Sequence, residues 1–205
     1  MLGTCLGLLA GVVPQAEAFT ATLNPASPLT VYLQVGVGSF TGIYIQGGQP
    51  QNNTTINSES VTVAATAVGN GIAQAMTTNS TATQSFWDGF TYCSVPGQLY
   101  IGGFYRTTSA NTAAARVTAT VPAVLTDAAG DTLPFSKIRW TSSGNGDTGA
   151  EPFPAASFTG GAVQNVGSMS SNTWNESCWA FSYLNNSVPA AGTYTGVVIY
   201  TLSAP

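Results

Sequence analysis

Groups able to do chemistry are scarce in this chain: 205 residues contain no His, eight Asp and Glu, four Lys and Arg, and three Cys. Acid–base catalysis needs a titratable pair poised near neutrality, and without His the choice falls on carboxylates such as Asp88, Asp127, Asp131, Asp147 and Glu151. Asp147 and Glu151 could flank a glycosidic bond if their carboxyls stood about 5 to 9 Å apart. Their setting argues against it, because Gly144-Asn145-Gly146-Asp147-Thr148-Gly149 reads as a flexible turn, and catalysis needs carboxylates held in fixed geometry. The same loop offers oxygens from Asn145, Asp147 and Glu151 to a calcium ion. A plain hairpin turn requires the same Asn, Asp and Gly, and the spacing departs from that of an EF-hand. The expectation is a non-catalytic chain with no metal and no cofactor.

The cysteines offer a second chemistry. Residues 1–18 separate from the rest: Leu2 to Val13 is a short apolar run, Pro14 breaks it, and Ala16-Glu17-Ala18 has the small-x-small pattern that signal peptidase accepts. No Lys or Arg precedes the run. It is also shorter than the roughly 20 apolar residues that span a bilayer, and no later stretch reaches that length. A leader of 18 residues is therefore expected, with Phe19 as the mature N-terminus and export through the general secretory pathway. Its removal takes Cys5 and leaves Cys93 and Cys178, for which an oxidising compartment favours one disulfide over two separately buried thiols. Two thiols without His cannot complete a four-ligand zinc shell.

Aromatic residues gather around both cysteines: Phe86, Trp87, Phe90 and Tyr92 near Cys93, and Trp174, Trp179, Phe181 and Tyr183 near Cys178. They suit a core packed against an inter-strand disulfide. They also suit a platform for sugar rings, with Trp87 and Trp174 as the candidate glycan contacts because each sits among polar residues. Asn-x-Ser/Thr occurs at Asn52, Asn53, Asn79, Asn175 and Asn185, as chance allows in so polar a chain. With a net charge of −4 and no basic patch, nucleic acid is excluded as a partner.

The elements that must position these residues are strands. Alternation with period two recurs along the chain, and helical spacing is nearly absent. Leu29, Val31, Leu33 and Val35 put one wholly apolar face on an extended segment. Further strands are expected at 40–46, 61–68, 98–106, 116–121, 133–141, 162–169, 176–183 and 193–202, punctuated by turns rich in Gly, Asn and Asp. Ser39-Phe40-Thr41-Gly42 with Gln46 echoes Ser157-Phe158-Thr159-Gly160 with Gln164, which fits either an internal duplication or the same strand–turn solution reached twice in a low-complexity composition. Many short strands without intervening helices predict an all-β antiparallel sandwich.

The C-terminal segment, Ala191-Gly192-Thr193-Tyr194-Thr195-Gly196-Val197-Val198-Ile199-Tyr200-Thr201-Leu202, resembles the last strand of bacterial chaperone-usher pilins, especially the spore-coat-U-like group. The resemblance covers about a dozen residues. It implies an immunoglobulin-like sandwich lacking one strand, completed by a neighbour's N-terminal arm whose alternate apolar side chains plug pockets along the core. Residues 19–37 would then be the arm, with Leu29, Val31, Leu33 and Val35 as plugs, and residues 38–205 the sandwich domain. An ordinary first strand pairing within its own domain is the alternative. Two features differ from the family's rod subunits: Cys93 and Cys178 lie 85 residues apart, and 187 residues is a long subunit. The implied partners are other copies or related subunits, a periplasmic chaperone and an usher. The resulting expectation is an extracellular structural subunit of a surface filament or fimbria, with a carbohydrate-binding adhesin module as the alternative and surface glycans as its partners.

Overall fold

The computed structural model describes residues 21–108, 110, 112–144 and 150–205. The expected leader, and Asn145 and Asp147 of the glycine-rich turn, lie outside the described residues. Five strands precede the first long one: β1 (Ala21–Thr22), β2 (Thr30–Val35), β3 (Glu59–Ser60), β4 (Gln74–Ala75) and β5 (Thr77–Thr78). The middle of the chain supplies β6 (Leu99–Arg106), β7 (Ala115–Val121), β8 (Val124–Thr126), β9 (Thr132–Pro134) and β10 (Ile138–Ser143). Last come β11 (Ala156–Ser157), β12 (Ala162–Met169), β13 (Thr173–Tyr183) and β14 (Ile199–Ser203).

These strands build the expected all-β antiparallel sandwich. The large sheet runs in the order β11-β10-β13-β6-β2, with β1 and β4 also paired to β13, and the small sheet runs β12-β7-β14. In β7 the alternation is strict: Ala115, Val117, Ala119 and Val121 are buried while Arg116 and Thr120 face water, as a sheet with one wet face requires. Its inward residues meet Ile101, Tyr105, Trp140, Trp179 and Phe181 of the large sheet in the main core. Strand β6 is different, because Leu99 through Tyr105 are all buried. Both faces of the large sheet are therefore covered, one by the small sheet and the other by loops.

Four expected strands take another form, and one of them, 133–141, is split between β9 and β10 by a 3-10 turn at Phe135–Lys137. At 40–46 the backbone bridges only at Phe40, then makes a 3-10 turn at Tyr44–Gln46 closed by left-handed Gly47. At 61–68, Val61 and Val63 do pack on the core, but the chain turns after Ala64, with Ala67 N–H bonded to Ala64 O. Segment 193–202 enters as a strand only at Ile199, after a single bridge between Thr195 and Thr126. In each case the side chains found apolar partners that did not need a continuous ladder. Among the described residues no helix is long and apolar enough to cross a membrane.

Candidate functional site

Strand β2 forms the end of the large sheet. Among the described residues it pairs with β6 alone, in a register that sets Val31 opposite Tyr105, Leu33 opposite Gly103 and Val35 opposite Ile101. Leu33 and Val35 pack against the main core, whereas Leu29 and Val31 are 44% and 45% exposed. Of the four residues expected to act as plugs, Val31, Leu33 and Val35 thus lie in the chain's own sheet and Leu29 just before it, with Leu33 and Val35 covered and Leu29 and Val31 at the surface. Gly103 makes the close fit possible: its φ is +154°, and a Cβ there would collide with the Tyr32 carbonyl oxygen.

The other face of β2 carries Tyr32 and Gln34, and both enter a second layer of structure. Tyr32 joins Phe40, Tyr44, Phe86, Trp87, Phe104 and Trp174 in an aromatic cluster on the outer face of the large sheet. Its rings touch in a chain: Phe40 stacks on Phe86 at 5.1 Å, Tyr44 stacks on Trp87 at 5.5 Å, and Trp87 lies 6.0 Å from Trp174. Two loops supply the cover, joined by backbone bonds from Tyr44 N–H to Phe86 O and from Ile45 N–H to Trp87 O. Trp174 is only 3% exposed. The expectation that its ring lies at the surface is therefore corrected: period two on β13 turns Trp174 onto the outer face, but the two loops close over it. Trp87 is half-buried at the rim, beside the 56% exposed Phe90.

The disulfide holds this cover to the sheet. Cys93 and Cys178 are bonded, as expected, with Cα atoms 5.6 Å apart, and tie the end of the second loop to β13. Next to it Glu176 accepts hydrogen bonds from Tyr100 Oη at 2.7 Å and from Trp174 Nε1 at 2.8 Å. Tyr92 Oη donates to the Glu176 backbone carbonyl at 2.9 Å. Burial pushes the Glu176 carboxyl above its usual range, with the hydrogen bonds from Tyr100, Trp174 and Ser85 pulling it back. Sequence reasoning passed over Glu176 and Tyr32. The signal was present in the alternation: on β13 an even-numbered Glu between Trp174 and Cys178 has to share their face.

Three further carboxylates serve local structure. Asp88 Oδ1 accepts from Phe90 N–H, Asp127 Oδ1 from Ala129 and Asp131 N–H, and Glu151 Oε2 from the Ser177 hydroxyl. Among the described residues no group of three or more His, Cys, Asp or Glu side chains is placed to hold a metal. The chemistry that the arrangement offers is that of surfaces: an end strand bonded on one side, and an aromatic cover stapled by a disulfide. Comparison with protein-family models, curated proteins and solved structures gives no match.

Proposed function

We propose that this protein is an exported, non-catalytic structural subunit of a surface filament, assembling with copies of itself or related subunits by β-strand addition, with β2 as the strand that passes between subunits. The observation that carries the reading is the position of β2. Among the described residues it is bonded to β6 alone and is followed by a long loop before the next strand, β3. Its apolar alternation fits the edge of the core through Leu33 and Val35. A strand held in this way has the same main-chain partners whether it comes from its own chain or from a neighbour, which is the basis of strand exchange. The pilin-like C-terminal segment supports the same reading. Its last residues, from Ile199, form β14, which ends the small sheet and lies close to β2 across the sandwich. A chaperone and an usher are the partners that such assembly requires.

Gels run without heating, together with microscopy of producing cells, test the proposal. A ladder of folded multimers and filaments containing this chain are expected, and monomer alone from both would overturn it. Leu33→Asp puts a charge against the core and is expected to abolish the ladder.

A second reading, a carbohydrate-binding adhesin module, rests on Trp87 and Phe90 at the rim of the aromatic cover. A glycan array with Trp87→Ala and Phe90→Ala as controls tests it; binding unaffected by both substitutions would remove the site.

A further inference from the structure

A carboxyl sits at the edge of the main core where an apolar or paired side chain is the norm. Glu59 opens β3 and lies opposite Thr78 of β5 in the short ribbon that the two strands form. After Ser60, Val61 and Val63 drop onto the main core, so residues 59–63 make a strap along the side of the sandwich. Posts anchor the strap at both ends. Upstream, Asn57 Oδ1 accepts from Val37 N–H at 2.7 Å and Asn57 Nδ2 donates to Asn79 Oδ1 at 3.1 Å. Downstream, buried Asn185 accepts from Gly69 N–H at 2.9 Å and donates to Ala67 O at 2.8 Å.

Between these posts the Glu59 side chain is poorly matched. Its Oε1 is buried and has no hydrogen-bond partner. Facing it are the Thr78 hydroxyl from β5 and Tyr200 from β14, whose own phenol is held neutral by burial. Among the described residues no cation is turned toward it. Arg106 donates to Asn24 O at 2.8 Å, Lys137 to Asn186 Oδ1 at 2.6 Å and Arg139 to Ser182 Oγ at 3.2 Å. Arg116, the remaining cation, alternates outward on β7 between buried Ala115 and Val117. A neutral acid suits this place, whereas a carboxylate would be desolvated without a donor for Oε1.

We propose that Glu59 makes the strap a pH-sensitive closure: the neutral acid keeps residues 59–63 on the core, and ionisation draws them into water, opening the sandwich beside Tyr200. Burial is the main cause of the shift that pushes this carboxyl up to about 7, with Thr78 opposing it. The closure is therefore complete below the ordinary carboxylate value of 4.5 and is lost as pH rises through about 7. Anchored at Asn57 and Asn185, the strap opens without unfolding the two sheets.

Hydrogen exchange, corrected for the intrinsic rate at each pH, tests the proposal on the wild type and on Glu59→Gln. Amides of residues 59–63 and 77–78 in the wild type are expected to lose protection by on the order of tenfold between about pH 5 and pH 8, while β7 and β13 stay protected. In Glu59→Gln the protection should be flat across that range. Equal loss in both proteins, or no loss in the wild type, would overturn the proposal. Carbon-13 NMR of the Glu59 carboxyl in the wild type gives an answer independent of the variant's folding. A midpoint near 7 supports the closure, and one in the ordinary carboxylate range contradicts it.

Discussion

Tyr100 donates its hydroxyl hydrogen to Glu176 across Gly102, and the phenol fills the space where a side chain on Gly102 would stand. One missing Cβ on β6 thus allows a bond between side chains 76 residues apart in sequence. The same carboxylate receives Trp174 Nε1, so Glu176 fixes both a core tyrosine and the central ring of the aromatic cover.

Removing that carboxylate strands two donors. Each buried donor left without a partner costs about 1–3 kcal/mol, so Glu176→Ala is expected to lose on the order of 2–6 kcal/mol in urea unfolding. Glu176→Gln keeps an acceptor oxygen and should lose less. An alanine variant as stable as the wild type would show that the bonds contribute nothing.

Stability should also depend on pH in a defined direction. Glu176 and Glu59 both have folded-state values raised mainly by burial, so their contributions are whole below about 4.5 and diminish as pH rises through the folded values. Melting temperature is therefore expected to fall from mildly acid to neutral pH. The double variant Glu59→Gln, Glu176→Gln should flatten that slope, and a wild type that becomes steadily more stable over the same range would contradict the assignment.

At the core of the cover, Trp174→Ala is expected to cost about 3–5 kcal/mol, as for other large buried aromatics. Trp87, at the rim, should cost clearly less in the same denaturant series. Equal losses would mean that Trp87 is as enclosed as Trp174. Reduction of the Cys93–Cys178 bond is expected to lower stability by about 2–5 kcal/mol. It should also raise hydrogen exchange first in residues 80–93, which the bond ties to β13.

The sheets were the legible part of the sequence, because period two marks β2, β7 and β13 directly and each keeps its apolar face toward a core. The disulfide was legible from the two remaining cysteines and the expected compartment. The aromatic cover was not. Phe40 and Tyr44 looked like part of a strand because the segment is rich in aromatic and β-branched residues, yet Gly42 and Gly47 bend it and turn both rings onto Trp174. Trp174 looked exposed because its sequence neighbours are polar, and only the two loops packed over β13 bury it. Glu59 likewise gave no sign in sequence, as burial of a carboxyl depends on what folds over it.

The central claim, passage of β2 between subunits, is tested most directly by cross-linking the ladder it is proposed to form. Thr30 and Arg106 are register partners on β2 and β6 near the surface, and cysteines at both positions can bond only where β2 is seated. Assemblies of the Thr30→Cys, Arg106→Cys variant, oxidised and run on a denaturing non-reducing gel, should separate as covalent multimers with the 30–106 link confirmed by peptide mass spectrometry. Assemblies that dissolve entirely to monomers, each carrying the 30–106 bond within one chain, would contradict the claim.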